Sequence, residues 1–193
     1  MALMQLLLAV AAGLGSAWAV LKSSAAFGER AGPWRVSTLA GSADADLYTR
    51  ARVALGGLLA LNRQETMYYV ADTDSSGAAL RSRCTYRVSG TPPAARWWSV
   101  TAYAEDFFLF PVDSKRYSVN GSTAALDTQG RYTFISAPQR PADVVPGGAE
   151  RPWLPTPGDR GLMFTLRVYN PAPTLAAAPA LLEPPRIERL GAC

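Results

Sequence analysis

The segment RWWSVTAY at Arg96–Tyr103 alternates with a period of two, which is typical of a β-strand. Successive strand side chains point to opposite faces, so the segment divides into one apolar set and one mixed set: Trp98, Val100 and Ala102, against Trp97, Ser99, Thr101 and Tyr103. The apolar set predicts a face in the protein core. The mixed set of aromatic rings and hydroxyls suits either a second packed layer or the wall of a ligand cleft.

Five further segments have strand character, and turn-forming residues separate most of them. The predicted strands are Thr66–Ala71, Leu80–Val88, Lys115–Val119, Tyr132–Ser136 and Leu162–Tyr169. The turn signals are Asp74–Gly77, Gly90–Pro93, Asn120–Gly121 and Asp127–Gly130. Many short strands joined by tight turns predict a mainly β fold, namely an antiparallel β-sandwich or jelly-roll-like domain.

One helix is predicted ahead of these strands, because apolar residues recur there at spacings of three and four. They are Leu47, Ala51, Ala54, Leu55, Leu58 and Leu59. Ser42 or Asp44 is placed to cap the start, Gly56–Gly57 weakens the last turn, and Asn62 marks the exit. We expect this α-helix to pack against the sheet.

The N-terminus is a near-continuous apolar run, Ala2–Leu21, broken only by Gln5 and Ser16. About 20 apolar residues suffice to cross a bilayer core, so the run predicts a transmembrane helix. Ala17–Ala19 also resembles a signal-peptide cleavage site, although no basic residue precedes the run and Lys22 follows it. We favour an inner-membrane anchor with the domain in the periplasm. A periplasmic protein after signal cleavage and a buried soluble helix are the alternatives.

These features divide the chain into three predicted parts. Residues 1–21 are a transmembrane anchor or signal peptide, residues 22–38 are a linker, and residues 39–193 are the β-sandwich domain. The Pro-rich stretch Pro171–Pro185 is incompatible with a central strand, and we expect it to lie across the surface.

The two cysteines, Cys84 and Cys193, predict a disulfide that ties the C-terminus to the sheet in an oxidising compartment. Closing a loop of roughly 100 residues stabilises a fold by about 4–5 kcal/mol in the chain-entropy model. Two unrelated free thiols are the alternative.

The composition excludes several chemistries. Without histidine, Ser-His-Asp and Cys-His nucleophiles and His-ligated metal sites are absent, and two cysteines exclude a four-cysteine cluster. We therefore expect no such cofactor or metal, and only chemistry of carboxylates, Tyr, Lys, Arg or an oxygen-ligated cation remains. The 19 basic and 15 acidic residues are scattered through the chain, which argues against nucleic acid as a partner.

Two motifs are better explained as turns. Asp72–Gly77 begins like a calcium-binding loop, but Arg83 stands where the motif needs a bidentate Glu. Asn120–Ser122 matches a glycosylation acceptor, yet Asn-Gly is a strong turn signal.

A glycosidase-like mechanism needs two carboxylates facing each other. Glu105 and Asp106 are adjacent, so in a strand they would point to opposite faces. A pairing of Glu65 with Asp72 or Asp74 stays open, because the sequence does not reveal which strands are neighbours.

Four segments resemble, in the same order, conserved blocks of the domain-of-unknown-function 1214 (DUF1214) family. They are Arg96–Tyr103, Lys115–Ser118, Trp153–Pro157 and Leu166–Pro171. The resemblance covers roughly Leu39–Cys193. It implies a mostly antiparallel β fold in a bacterial envelope or membrane-associated protein. It implies no established activity, and longer relatives carry a second domain ahead of this one.

We expect a ligand cleft, if the mixed face forms one, to be lined by aromatic and arginine side chains: Tyr69, Trp97, Tyr103, Arg116, Arg167 and Tyr169. The leading hypothesis is a non-enzymatic, membrane-tethered module that contacts lipid through its N-terminal helix and binds a small molecule or an envelope protein. One alternative is a carboxylate- or tyrosine-dependent enzyme acting on a glycan or aromatic compound. Another is a scaffold subunit that associates through exposed apolar residues at Phe107–Phe110.

Overall fold

The computed structural model describes residues 2–22, 28–55, 60–142 and 152–193, and its strands form two β-sheets. The helices are α1 Ala2–Lys22, α2 Leu47–Leu55, α3 Pro173–Ala177 and a 3-10 helix at Pro179–Leu181. The strands are β1 Glu29–Ala31, β2 Trp34–Val36, β3 Thr66–Ala71, β4 Tyr86–Gly90, β5 Ala95–Ala104, β6 Ser118–Asn120, β7 Tyr132–Ala137, β8 Trp153–Pro155, β9 Leu162–Pro171 and β10 Arg186–Arg189.

The larger sheet has the strand order β1-β2-β3-β9-β5-β6, and every neighbouring pair in it is antiparallel. Its two ten-residue strands, β5 and β9, pair along their whole length. The smaller sheet has the order β10-β4-β7-β8, in which only β7 and β8 run parallel. The predicted mainly β, antiparallel architecture is therefore confirmed.

The core lies between the inner faces of the two sheets. Trp98, Val100 and Ala102 are buried, as the alternation of the segment predicts. Trp98 stacks on Tyr132 of the smaller sheet, with ring centres 4.4 Å apart. Burial of each large apolar side chain of this kind stabilises the fold by about 1.5–3 kcal/mol. The apolar half of the alternation thus holds the two layers together.

The predicted strands are present, but some of their limits differ. The segment Thr66–Ala71 forms β3 as predicted, whereas β4 begins only at Tyr86 and not at Leu80. The chain turns just before β4, because the Cys84 amide donates to the Arg81 carbonyl at 3.1 Å.

The folded part begins ahead of Leu39. Strands β1 and β2 lie within the predicted linker, and β2 pairs with β3 in the larger sheet. Trp34 anchors this edge, because its ring is buried and its Nε1 donates to the Pro185 carbonyl at 2.7 Å. Residues 23–27 of the predicted linker lie outside the described residues.

Helix α2 starts later than predicted and is capped by Asp46, not by Ser42 or Asp44. The Asp46 carboxylate accepts the amides of Tyr48 and Thr49 at 2.8 and 3.0 Å, which is the geometry of an N-cap. None of the nine α2 residues is buried. Leu47, Ala54 and Leu55 of the predicted stripe are exposed, while Ala51 of the stripe and Val53 are half-buried. Residues 56–59, with Leu58, Leu59 and Gly56–Gly57, lie outside the described part.

The C-terminal segment closes one side of the sandwich. After β9 it forms α3 and the 3-10 helix, which bury Leu175 and Pro179, and then β10 pairs with β4 at the sheet edge. The predicted disulfide is present between Cys84 and Cys193, whose Cα atoms are 4.5 Å apart.

The N-terminal apolar run is helical over Ala2–Lys22. Its part Ala2–Val20 is long and apolar enough to cross a membrane by length and composition, and a signal sequence has the same properties.

Candidate binding site

The outer face of the larger sheet carries the mixed set of side chains. We call "outer face" the residues of β3, β9 and β5 that point away from the smaller sheet, as the strand register places them. They are Thr66, Tyr68 and Val70, then Met163, Thr165, Arg167 and Tyr169, then Trp97, Ser99, Thr101 and Tyr103.

Arg167 occupies the middle of the outer face, between Tyr68 on β3 and Ser99 on β5. Its Nη1 donates to Thr101 Oγ1 at 3.1 Å, and its Nη2 donates to the Tyr103 hydroxyl at 2.6 Å. The guanidinium carbon lies 5.5 Å from the centre of the Tyr103 ring, which is within cation–π range. Among the described residues, no carboxylate oxygen lies within 4 Å of this half-buried cation.

Next to Arg167, the rings of Trp97 and Tyr169 form an aromatic pair. They are direct partners in the β5–β9 ladder, and their ring centres are 5.2 Å apart with a tilt of 56°. The Trp97 side chain is accessible, with 37% of its surface exposed. Tyr169 is two residues from Arg167 on the same strand, so their Cα atoms are about 7 Å apart, and the guanidinium extends the other way, toward Thr101 and Tyr103.

Small hydroxyl side chains form the floor between these larger groups. Ser99, Thr101, Thr165 and Thr66 are all buried although they point outward. The Thr66 hydroxyl has no hydrogen-bond partner within the described ranges. The outer face therefore combines one cation, aromatic surface and short polar groups, which is the composition of a binding surface for a ligand with both an anionic and a planar part.

Four of the six predicted cleft residues meet on the outer face, namely Trp97, Tyr103, Arg167 and Tyr169, and two do not. Tyr69 points into the core, where its hydroxyl donates to the Pro179 carbonyl at 2.9 Å and burial raises its pKa. Its neighbour Tyr68 takes the place on the outer face.

Arg116 also lies elsewhere. It precedes β6, and its Nη1 donates to the Trp153 carbonyl of the smaller sheet at 3.3 Å. Tyr69 and Arg116 therefore lie apart from the four predicted residues that meet on the outer face.

Comparison with known proteins identifies the family to which the central part of this chain corresponds. Residues 65–173 match the family described as "Protein of unknown function (DUF1214)". The chain belongs to the DUF1214 family. The matched segment runs from the start of β3 to the start of α3 and contains the whole outer face, although it is shorter than the Leu39–Cys193 span of the sequence resemblance.

Two solved structures resemble this DUF1214 chain. The crystal structure of the VPA0106 protein from Vibrio parahaemolyticus matches with a TM-score of 0.60 and 22% identity over 77% of this chain. A putative uncharacterized protein from Burkholderia cenocepacia matches with a TM-score of 0.44 and 18% identity over 65% of this chain. The chain spans 36% and 29% of those two proteins, about a third of their length. The first likeness supports the fold, and no curated protein matches the chain.

One carboxylate pairing that a glycosidase-like mechanism could use, Glu65 with Asp72, is not formed in the DUF1214 domain. Glu65 and Asp72 lie just beyond opposite ends of β3, about 23 Å apart along the strand. Glu105 accepts the Gly161 amide at 3.0 Å, and Asp106 forms an ion pair with Arg160.

Two depressions of the described surface also lack such a pair. One, of about 750 Å³, is lined by Gly41, Ser42, Ala43, Ala45, Arg50, Val53, Ala54 and Ala60. The other, of about 220 Å³, is lined by Thr91, Pro92, Pro93, Ala94, Thr174, Leu175, Leu181, Leu182 and Glu183. A single carboxylate, that of Glu183, lines the second and none lines the first.

The segment Asp72–Gly77 is a turn, as predicted. The Asp74 carboxylate accepts the Ser76 amide, the Ser76 hydroxyl and the Ala78 amide at 2.9, 2.6 and 3.0 Å. Asp72 is engaged with Arg35 at 2.6 Å. No group of three or more metal-ligating side chains occurs in the described part of the chain.

The segment Phe107–Phe110 is mostly exposed. Phe107, Phe108 and Leu109 face solvent, with 71% of Phe108 accessible, while Phe110 is buried in the core. Phe107 has a positive φ of 68° in the turn that follows β5. This turn leaves three consecutive apolar side chains uncovered, which is a feature of contact surfaces.

Proposed function

We propose that this DUF1214 chain is a membrane-tethered binding module without catalytic activity, which uses the outer face to hold a small ligand or an envelope partner. The observation that carries the proposal is Arg167, a half-buried cation whose described partners are the hydroxyls of Thr101 and Tyr103. Taking a charge out of water without a counter-charge costs free energy. A ligand that supplies the counter-charge recovers that cost.

The proposed location is the inner membrane, with the domain in the periplasm. Helix α1 supports a membrane anchor, and the Cys84–Cys193 disulfide supports an oxidising compartment. Release into the periplasm after signal cleavage remains the alternative for the same features.

Thermal-shift measurements on the full chain in detergent test the role of the outer face. A panel of small envelope metabolites would be screened against the wild type, Trp97→Ala and Leu126→Ala. Leu126 is a matched control, because it is an exposed apolar residue outside the outer face. We expect compounds that raise the Tm of the wild type to act on Leu126→Ala but to lose their effect on Trp97→Ala. Stabilisation that survives in Trp97→Ala would contradict the proposal.

A second function, as a subunit of an envelope assembly, is favoured by the exposed apolar side chains of Phe107, Phe108 and Leu109. Substituting Phe108→Ser should leave Tm unchanged, because this side chain is largely in solvent. Cross-linking in intact cells should then show higher-mass adducts of the wild type that disappear in Phe108→Ser. Equal adduct patterns would exclude this contact.

A further inference from the structure

We propose that helix α2 lies on the lipid surface beside the end of α1 and inserts its exposed apolar side between the headgroups. This inference rests on the proposed membrane location, and it concerns a surface other than the outer face. Three observations carry it: the direction in which α2 presents its apolar side chains, the contact between α2 and α1, and the depth at which that contact lies.

Helix α2 is amphipathic, and its apolar side points away from the domain. At about 100° per residue, the apolar side chains occupy roughly 120° of the helix circumference. The two leucines are 83% and 67% exposed, Tyr48 and Ala54 are also exposed, and only Ala51 is half-buried. This apolar side consists of Leu47, Tyr48, Ala51, Ala54 and Leu55.

The opposite side of α2 faces the domain. Thr49, Arg52 and Val53 are half-buried, although two of the three are polar. Burial, together with the nearby Arg35 of β2, lowers the pKa of Arg52, which fits a position of this arginine against the larger sheet. A helix at the surface of a soluble domain normally buries its apolar stripe and leaves its polar residues in water. The reversed orientation of α2 therefore predicts an apolar environment outside the domain.

The contact with α1 indicates that this environment is lipid. Helix α1 contacts α2, and its part Ala2–Val20 has the length and composition of a membrane-spanning helix. Within Ala2–Val20 every residue is exposed except Ala17, which is half-buried. The contact with α2 therefore lies toward the C-terminal end of α1, where the helix leads into the domain.

The position of this contact along α1 fits a helix at the lipid surface. Lys22 is the first charged residue after the apolar run, so it marks the membrane surface on this side. Ala17 is five residues before Lys22, which is about 7–8 Å along the helix axis. Interfacial amphipathic helices bury their apolar face by about 5–10 Å, so α2 lies at the depth that such a helix needs.

Spin labelling of the full chain in nanodiscs of phosphatidylethanolamine and phosphatidylglycerol tests the contact. The two native cysteines form a disulfide, so a single introduced cysteine takes the label. Leu47→Cys and Leu55→Cys report on the apolar side of α2, and Leu8→Cys reports on α1. Leu126→Cys is the matched control, because Leu126 is an exposed leucine beside β7. The surroundings of each label follow from its collision rates with oxygen, which partitions into lipid, and with a water-soluble nickel chelate.

We expect the labels at Leu47 and Leu55, like the label at Leu8, to collide more often with oxygen than with the nickel chelate. Their ratio of oxygen to nickel collisions should be severalfold higher than that at Leu126. Nickel access at Leu47 and Leu55, with Leu8 in lipid, would overturn the lipid contact of α2 and leave the anchor intact. Protection from both reagents would also overturn it, because a protein surface would then cover the apolar side. Nickel access at both Leu8 and Leu55 would overturn the proposed anchor together with the contact.

The double variant Leu47→Gln/Leu55→Gln tests the same contact without a label. Leucine and glutamine have similar helix propensities, so the change removes apolar surface and leaves the helix preference nearly the same. In nanodiscs the α2 amides of this variant should exchange with deuterium about tenfold faster than those of the wild type, because two leucines leave the lipid. Leu126→Gln is the control and should leave α2 exchange unchanged. Equal α2 exchange in the double variant and the wild type would overturn the contact.

Discussion

Two buried tyrosines differ in whether their hydroxyl makes a hydrogen bond, and this difference predicts how removal of the hydroxyl changes the free energy of unfolding. Tyr69 donates to the Pro179 carbonyl, whereas the Tyr132 hydroxyl is buried without a partner among the described residues. We expect Tyr69→Phe to lower the free energy of unfolding by about 1–2 kcal/mol. Tyr132→Phe should stay within about 0.5 kcal/mol of the wild type or exceed it, since it removes an unsatisfied polar atom.

Denaturant unfolding of the wild type and the two variants measures the two changes in the free energy of unfolding, which are comparable when the m-values are equal. A loss of stability in Tyr132→Phe as large as that in Tyr69→Phe would mean that the Tyr132 hydroxyl has a partner after all.

Asp74 predicts a pH dependence of stability. Burial alone would raise its pKa, but the hydrogen bonds from Ser76 and Ala78, with the nearby Arg189, outweigh this effect and hold the pKa below its usual value. A lowered folded-state pKa means that the stabilisation is complete above the unfolded pKa of about 3.9 and is lost as the pH falls through the folded value.

We therefore expect Asp74→Asn to lose about 1–3 kcal/mol at pH 7, because the amide is a weaker acceptor in the turn. The gap between variant and wild type should shrink below pH 4. Asp113→Asn, at an exposed aspartate, serves as the control and should show neither effect. A gap independent of pH would show that the charge of Asp74 is not what stabilises the turn.

At the level of elements, the long strands were predictable and most of the three- and four-residue strands were not. Strands β5 and β9 each have ten residues and a clear period of two, so both their existence and their core faces follow from the sequence. Strands β1, β2, β8 and β10 have only three or four residues each, and β10 (Arg-Ile-Glu-Arg) has a single apolar residue. Pairing with a neighbouring strand, not local preference, makes them strands.

The same limit explains why the sequence did not separate Tyr69 and Arg116 from the four predicted residues of the outer face. In β3 both alternating sets contain a tyrosine, so the period alone does not decide whether Tyr68 or Tyr69 faces the core. Thr66 gives the available signal, because it shares a face with Tyr68 and makes that set more polar. Arg116 was misplaced because the position of its loop depends on contact with the smaller sheet, which no local pattern encodes.

Helix α2 has no buried residue, so we expect loss of its N-cap to affect the helix without affecting global unfolding. Asp46→Ala removes the cap, so the amides of α2 should exchange with deuterium roughly fivefold faster. The midpoint of global unfolding should hardly move, since no α2 residue is buried. Asp44→Ala is the control and should leave α2 exchange unchanged. A large fall of the global midpoint in Asp46→Ala would show that α2 supports the sandwich.

For the whole molecule, the disulfide links the end of the chain to the sheet. Cys84 and Cys193 are separated by 109 residues, and β10 lies between the preceding helices and the linked terminus. We expect Cys193→Ser and the double variant Cys84→Ser/Cys193→Ser, which both lack the disulfide, to lose about 2–5 kcal/mol of stability relative to the wild type. Hydrogen exchange should show that β10 loses protection first while β5 and β9 keep theirs. Uniform loss across all strands would mean that β10 does not open separately.

The proposed membrane location of the whole molecule depends on the apolar helix α1, and introducing two arginines into this helix tests it. Placing Leu8→Arg and Val10→Arg near the middle of a spanning helix costs about 2.5–3.5 kcal/mol per residue on translocon insertion scales. We expect the wild type to remain in the membrane after alkaline extraction with residues 2–22 intact by mass, and the double variant to be released. Ala2→Arg, at the helix end, is the control and should remain membrane-bound, because a terminal arginine reaches the lipid headgroups. A soluble mature chain that starts just after Ala19 would instead establish the helix as a cleaved signal sequence and would remove the tether from the proposed function.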